Sequence, residues 1–226
     1  MESDLLIGVP HKDFHADMLA MSRKEQIRLY KLLTDHEASY PGFKSSLEPL
    51  PVPMGISGFS PELEMMYQCG IQSGTGPMSA VAGLFAEAVA RKLDTAFSVP
   101  EMVVENGGDL YIRNESELVS VIYAGSAALS EKLALVIPKG EWGVCTSSGT
   151  MGHSFSRGKA DAVTVVAKST PIADAWATAL ANHVQDLSDI EPVLERIAQI
   201  PEILSCVVIV GDRVGVRGEL EVKLLS

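Results

Sequence analysis

A chain of 226 residues with 46% hydrophobic side chains can bury one sizeable core and is too apolar to stay disordered. Its formal charge of −11, with 18 Lys and Arg scattered along it, argues against a duplex-DNA or anionic-membrane surface, and no apolar run approaches a membrane span. Met1-Glu2-Ser3-Asp4 lacks the basic start of a signal peptide, and Cys69, Cys145 and Cys206 are too few and too far apart for a disulfide framework, so a cytoplasmic protein with reduced thiols is expected.

In chain order, residues 4–9 read as a short strand. Residues 22–40 read as a helix with Ile27, Leu29, Tyr30, Leu32 and Leu33 on its apolar side. Pro41, Pro49, Pro51, Pro53 and Pro61 make residues 41–61 extended or looped. A short helix is expected over 62–68. Ser73-Gly74-Thr75-Gly76-Pro77 then introduces a strong helix over 78–93, with Pro77 in its first turn. Residues 102–105 and 110–113 form a hairpin around Asn106-Gly107-Gly108-Asp109. Further strands are expected at 118–123, 133–137, 143–146 and 162–167, then helices from 170 to about 185 and over 190–200. A closing hairpin pairs 206–210 with 213–217 through Gly211-Asp212. Each half thus holds a proline-led helix and a later hairpin with Gly-Asp in its turn, an internal echo. Consecutive strands joined by short turns imply an α+β fold, mainly antiparallel sheets with helices packed on one side.

Two stretches carry the chemistry. Cys145-Thr146-Ser147-Ser148-Gly149-Thr150-Met151-Gly152-His153 offers hydroxyls and backbone N–H groups suited to a phosphate or sugar. Ala173-Asp174-Ala175-Trp176-Ala177-Thr178-Ala179 sets a carboxylate and a hydroxyl four residues apart on one helix face, where they can hold a hard cation such as Mg²⁺. The competing reading of that pair is a solvated polar stripe. His153 can stack, donate to a phosphate or move a proton. Ser147 or Ser148 with His153 and Asp174 supplies the residue types of a serine hydrolase, but the G-x-S-x-G elbow is missing. Cys145 is read as a buried strand residue ahead of a nucleophile. Asp109 can accept from a ligand hydroxyl, and Gly107 and Gly108 let a ligand approach the backbone.

The order of motifs resembles a family. Residues 74–83 (GTGPMSAVAG), 104–109 (VENGGD), 145–153 (CTSSGTMGH), 158–163 (GKADAV) and 173–182 (ADAWATALAN) are similar to the uncharacterised cytoplasmic branch of the ApbE-like superfamily. Its better-known branch comprises FAD:protein FMN transferases, which use Mg²⁺ to move FMN from FAD to a serine or threonine and release AMP. The resemblance implies a single domain over 1–226 built from duplicated T-fold-like units, roughly 4–125 and 126–226, intertwined. It implies Asp174 and Thr178 as metal ligands, aided by a backbone carbonyl near Ala80 or Val81. Gly107, Gly108 and Asp109 would lie near the flavin. Gly76, Thr146, Ser147, Ser148, Gly149 and Thr150 would hold the FAD or another nucleotide, and His153 with Asp174 would serve catalysis. The implied partners are a flavin or nucleotide and a protein acceptor, with a homodimer compatible. Two motifs depart from the transferases: Ala82 stands where they carry the lysine of A-K-G, and His153-Ser154-Phe155-Ser156-Arg157 replaces their H-x-x-D-P. The alternative function is a non-catalytic ligand-binding protein of sulfur or homocysteine metabolism.

Overall fold

The computed structural model describes residues 4–53, 59–149 and 158–225. Along them run β1 (Leu5–Gly8), α1 (Asp17–Ser39), α2 (Pro61–Ser73), a 3-10 turn (Pro77–Ala80), α3 (Val81–Phe97), β2 (Met102–Asn106), β3 (Asp109–Asn114), β4 (Leu118–Val121) and β5 (Leu133–Ile137). There follow β6 (Gly140–Ser147), β7 (Ala162–Ala167), α4 (Thr170–His183), α5 (Ile190–Ile197), β8 (Ile203–Val210), β9 (Arg213–Gly218) and β10 (Val222–Leu224). Seven strands form one sheet in the order β1-β2-β3-β6-β7-β8-β9, and three form a second in the order β10-β5-β4. All neighbouring strands are antiparallel. Strands from residues 4–125 and from 126–226 occur in both sheets.

Alternation along the strands separates two cores. Cys145 of β6, Val163 and Val165 of β7, and Cys206 and Val208 of β8 face the helices, packing on Trp176 and Leu180 of α4 and Val193 and Leu194 of α5. Ile112, Val144, Val166, Val207 and Ile209 face the other way, onto Leu133, Leu135 and Ile137 of the small sheet. A fully buried Leu or Ile contributes about 1.5–3 kcal/mol, so each face has its own reason to keep register. The helices therefore lie on one side of the large sheet and the small sheet on the other. Among the described residues no helix is long and apolar enough to cross a membrane.

Several element boundaries move relative to the sequence reading. Helix α2 continues to Ser73 because Gly70 does not break it; a Cβ there would come within 2.8 Å of the Thr75 carbonyl oxygen, so Gly70 serves a close approach. It ends on Gly74, left-handed at φ 78°. Helix α1 starts earlier, at Asp17, and buries Met18. Strand β6 begins at Gly140, and β10, unforeseen, pairs with β5 over three residues. The hairpin at Gly107 and Gly108 is as expected, with φ of 65° and 102°, values that demand glycine in a two-residue turn.

Candidate functional site

The site starts where two helices begin. Helix α4 opens at Thr170-Pro171 and passes close to both β6 and α3. A Cβ on Gly143 would stand 2.4 Å from Thr170 Cα, and one on Gly83 would stand 2.6 Å from the Thr170 carbonyl oxygen. Only glycine admits that approach. The two starts then cap each other. The Gly83 N–H of α3 donates to Asp174 Oδ2 at 2.8 Å, and the Thr170 N–H of α4 donates to Glu87 Oε2 at 2.8 Å. Ala80, ahead of α3, has no side chain able to do this, so the cap comes from the neighbouring helix. Asp174 is 7% exposed, which removes the solvated-stripe reading of that helix face.

Across from Asp174, register sets Asp109 beside Cys145 on the helix face of the sheet. Asp109 and Asp174 share a cleft of about 720 Å³, and both are buried. Burial pushes the Asp109 carboxyl up to about 7, against hydrogen bonds from Cys145 and the Thr146 N–H. Asp174 is held well above the ordinary carboxylate range, by burial first and by the charge of Asp109 second, although the Gly83 and Ala82 amides oppose this. Thr178, one turn beyond Asp174, lines the same cleft.

Two desolvated carboxyls facing one space fit a small hard cation, which would relieve both burial and mutual repulsion. Among the described residues no three His, Cys, Asp or Glu side chains converge, which does not suit a zinc cage. The residues that could hold Mg²⁺, which keeps few protein ligands and completes its shell with water and phosphate, are Asp109, Asp174 and Thr178 of the cleft lining. The thiols nearby are inert. Burial, with Asp174 and Glu87 adding, raises Cys69 to about 12, and burial raises Cys145 well above the ordinary thiol value.

The opposite wall of the cleft was not visible in the sequence. Residues 41–50 cross it as a strap. The Glu37 carboxylate accepts the N–H groups of Gly42 (3.0 Å) and Lys44 (2.7 Å). Phe43 is fully buried beside His36, whose ring nitrogen lies 2.9 Å from the Tyr67 hydroxyl. The Gly76 N–H donates to the Leu47 carbonyl at 3.0 Å, and a Cβ on Gly76 would lie 1.8 Å from the Ser46 carbonyl oxygen. Behind the strap the hydroxyls of Ser73, Thr75 and Ser79 form a chain with 2.6 Å links. Lys44 is the only Lys or Arg among the described residues lining the cleft; its Nζ rests on the Thr34 hydroxyl at 3.2 Å.

The residues singled out from sequence distribute as follows. Gly76, Gly107, Asp109, Thr146, Ser147, Asp174 and Thr178 line the main cleft. Gly76 leaves room for the strap's backbone as well. Gly108 and Ser148 line a second groove, of about 520 Å³, on the other face of the sheet; Gly107 and Thr146 border both. The hydroxyl run is thus divided by strand alternation, with Thr146 turned toward Thr164 at 2.8 Å and Ser147 inward. A Cβ on Gly149 would lie 2.0 Å from the Gly158 carbonyl oxygen, so that glycine accommodates a chain crossing. Thr150 and His153 lie outside the described residues.

Residues 1–203 match the sequence profile of a family described as AbpE bacteria. A UPF0280 protein of Methanocaldococcus jannaschii is 32% identical over 227 residues, spanning 97% of this chain and 88% of that protein. One from Methanothermobacter thermautotrophicus is 37% identical over 193 residues, spanning 83% and 73% respectively. Among solved structures, the apo form of the flavinyl transferase ApbE of Pseudomonas stutzeri aligns with a TM-score of 0.52 at 15% identity, over 96% of this chain and 94% of its own. That likeness is one of fold.

Proposed function

This chain belongs to the AbpE bacterial family of the ApbE-like superfamily, and we propose that its main cleft binds a flavin nucleotide, FAD or a relative, together with Mg²⁺, for transfer of FMN to a hydroxyl acceptor. The observation that carries this reading is the pair of buried carboxyls, Asp109 and Asp174, facing one cleft. The flavinyl transferase activity named for the Pseudomonas stutzeri protein of like fold supplies the reaction class.

In that reading Asp174 and Thr178 hold the cation, with Asp109 opposite. The cation, when bound, neutralises charge gathering on a pyrophosphate and lowers the pKa of an oxygen beside it. Ser147, on the cleft wall, faces the ligand phosphates. Lys44 and the strap bound the far end of the ligand and restrict water. The acceptor oxygen forms a bond to the FMN-side phosphorus, while the pyrophosphate P–O bond to AMP breaks and AMP leaves with that electron pair. The hydroxyl proton goes to Asp109 or, from outside the described residues, to His153. Asp174 also caps α3, so the metal site and the helix start share one side chain.

The test is a titration with FAD, followed by flavin fluorescence, in Mg²⁺ and then in EDTA, on the parent chain and on Asp174→Asn. Mg²⁺-dependent saturation that the variant loses supports the reading. Equal binding in EDTA, or an unaffected variant, overturns it. Binding without AMP release to any hydroxyl acceptor would favour the accessory-protein alternative.

A further inference from the structure

The seven-stranded sheet is wider than the three-stranded sheet that covers it. On the outer face, Leu6 of β1 sits beside Glu105 of β2, which sits beside Leu110 of β3, and Leu6 is 68% exposed. The covering sheet stops at β4, its edge strand. The Ile122 N–H donates to the Leu133 carbonyl and the Ile122 carbonyl accepts from the Glu131 N–H, so both polar groups of Ile122 point toward the β5 side. In an antiparallel ladder the direction alternates residue by residue. The N–H and C=O groups of Val119 and Val121 therefore point to the free edge. These two residues are 48% and 50% exposed, and Tyr123, just beyond β4, is 57% exposed.

The second groove lies between that edge and the outer face of β2, β3 and β6. Six consecutive residues, Leu118 through Tyr123, line it, so its length is that of a strand. At one end it borders Gly107 and Thr146, which also line the main cleft. Glu105 and Asp161 line the groove, and among the described residues no Lys or Arg does.

We propose that the groove is the docking site of the acceptor: an extended, basic, hydroxyl-bearing peptide segment that pairs with β4 as a fourth strand. The unused edge amides and carbonyls supply main-chain pairing. The outer face around exposed Leu6 and half-buried Val103 takes alternate side chains, and Glu105 and Asp161 favour Lys or Arg over acidic residues. Continuity at Gly107 and Thr146 lets such a strand deliver a serine or threonine to the main cleft. The hydroxyl requirement rests on the transferase reading; the docking itself does not.

Val121→Pro is the sharp variant, because it removes an edge N–H that β5 does not use, and proline is tolerated on an edge. A phage-displayed peptide library with a fixed central threonine would be selected on the full chain. Selected peptides should be rich in Lys or Arg and bind Val121→Pro at least about tenfold more weakly, the loss expected when a strand pairing fails. Amide exchange at Val119 and Val121 should slow when peptide binds. FAD binding by Val121→Pro should be unchanged. No peptide above a scrambled control, or binding indifferent to Val121→Pro, overturns the proposal. A dimer of the parent chain that Val121→Pro dissolves assigns the edge to a second copy and overturns it equally. If Asp174→Asn keeps its FAD binding while the peptide result holds, the transferase reading fails and the docking edge stands.

Discussion

In EDTA, raising the pH from 5 to 8 should destabilise this protein. Asp109 is buried and held at about 7, against an ordinary 3.8, and Asp174 is shifted in the same direction. A carboxyl raised on folding binds its proton more tightly in the native state. Its contribution is complete below the unfolded value and is lost as pH climbs through the folded one. For Asp109 the part lost between pH 5 and 7 is on the order of 3 kcal/mol, an upper figure at about 1.4 kcal/mol per tenfold change in proton affinity. In a chain of this length that corresponds to a fall of about 6–12 °C in Tm. His36 works the other way: burial lowers its value, so its contribution grows as pH rises toward about 6.5. The carboxylates held low, Glu37, Glu62, Glu115 and Asp186, act only below about pH 4.5. Thermal melts by circular dichroism at half-unit pH steps would resolve the curve. Asp109→Asn should make it shallower, leaving the same-signed slope of Asp174, whose burial remains, against the opposite slope of His36, and saturating Mg²⁺ should raise Tm most at pH 8. A Tm in EDTA that stays level or rises from pH 5 to 8 would refute the electrostatic reasoning.

Gly83→Ala should cost about 1–3 kcal/mol, read from the urea midpoint, because its Cβ would press on the Thr170 carbonyl and force α3 and α4 apart. Lys44→Ala should weaken FAD binding about tenfold, the scale of one charge-assisted contact, with the urea midpoint nearly unchanged. Gly76→Ala should displace the strap, since its Cβ cannot coexist with the Ser46 carbonyl at 1.8 Å, and loss of FAD affinity at near-parent far-UV dichroism would register that.

Much of the fold could be read from local pattern. The apolar run Leu133–Ile137 and the run Ala162–Ala167, interrupted only by Thr164, are strands with the expected bounds, because both faces of each are buried and nothing polar blurs their ends. The turn at Gly107-Gly108 was equally plain. What failed was non-local. The helix expected over 62–68 runs on to Ser73 through Gly70, a contact point for the Thr75 backbone. Strand β10, three residues among alternating charges, exists only through its pairing with β5. That Asp174 and Thr178 share one face was legible from their four-residue spacing, and both line the cleft. Neither the capping role of Asp174 nor the strap bearing Lys44 could be seen, since both depend on segments about 90 and 30 residues apart being folded together. The single cradle expected of Thr146, Ser147 and Ser148 is divided between two faces, as the period of two in any strand requires.

Mn²⁺ binding, followed by electron paramagnetic resonance as a stand-in for Mg²⁺, tests the carboxyl pair most directly. The parent chain should bind one Mn²⁺ per protein at pH 7.5, more tightly with FAD present, and Mg²⁺ should displace it. Asp174→Asn should lose that binding, and Thr178→Val should weaken it about tenfold. No bound Mn²⁺, or binding that survives Asp174→Asn unchanged, would contradict a cation site between Asp109 and Asp174.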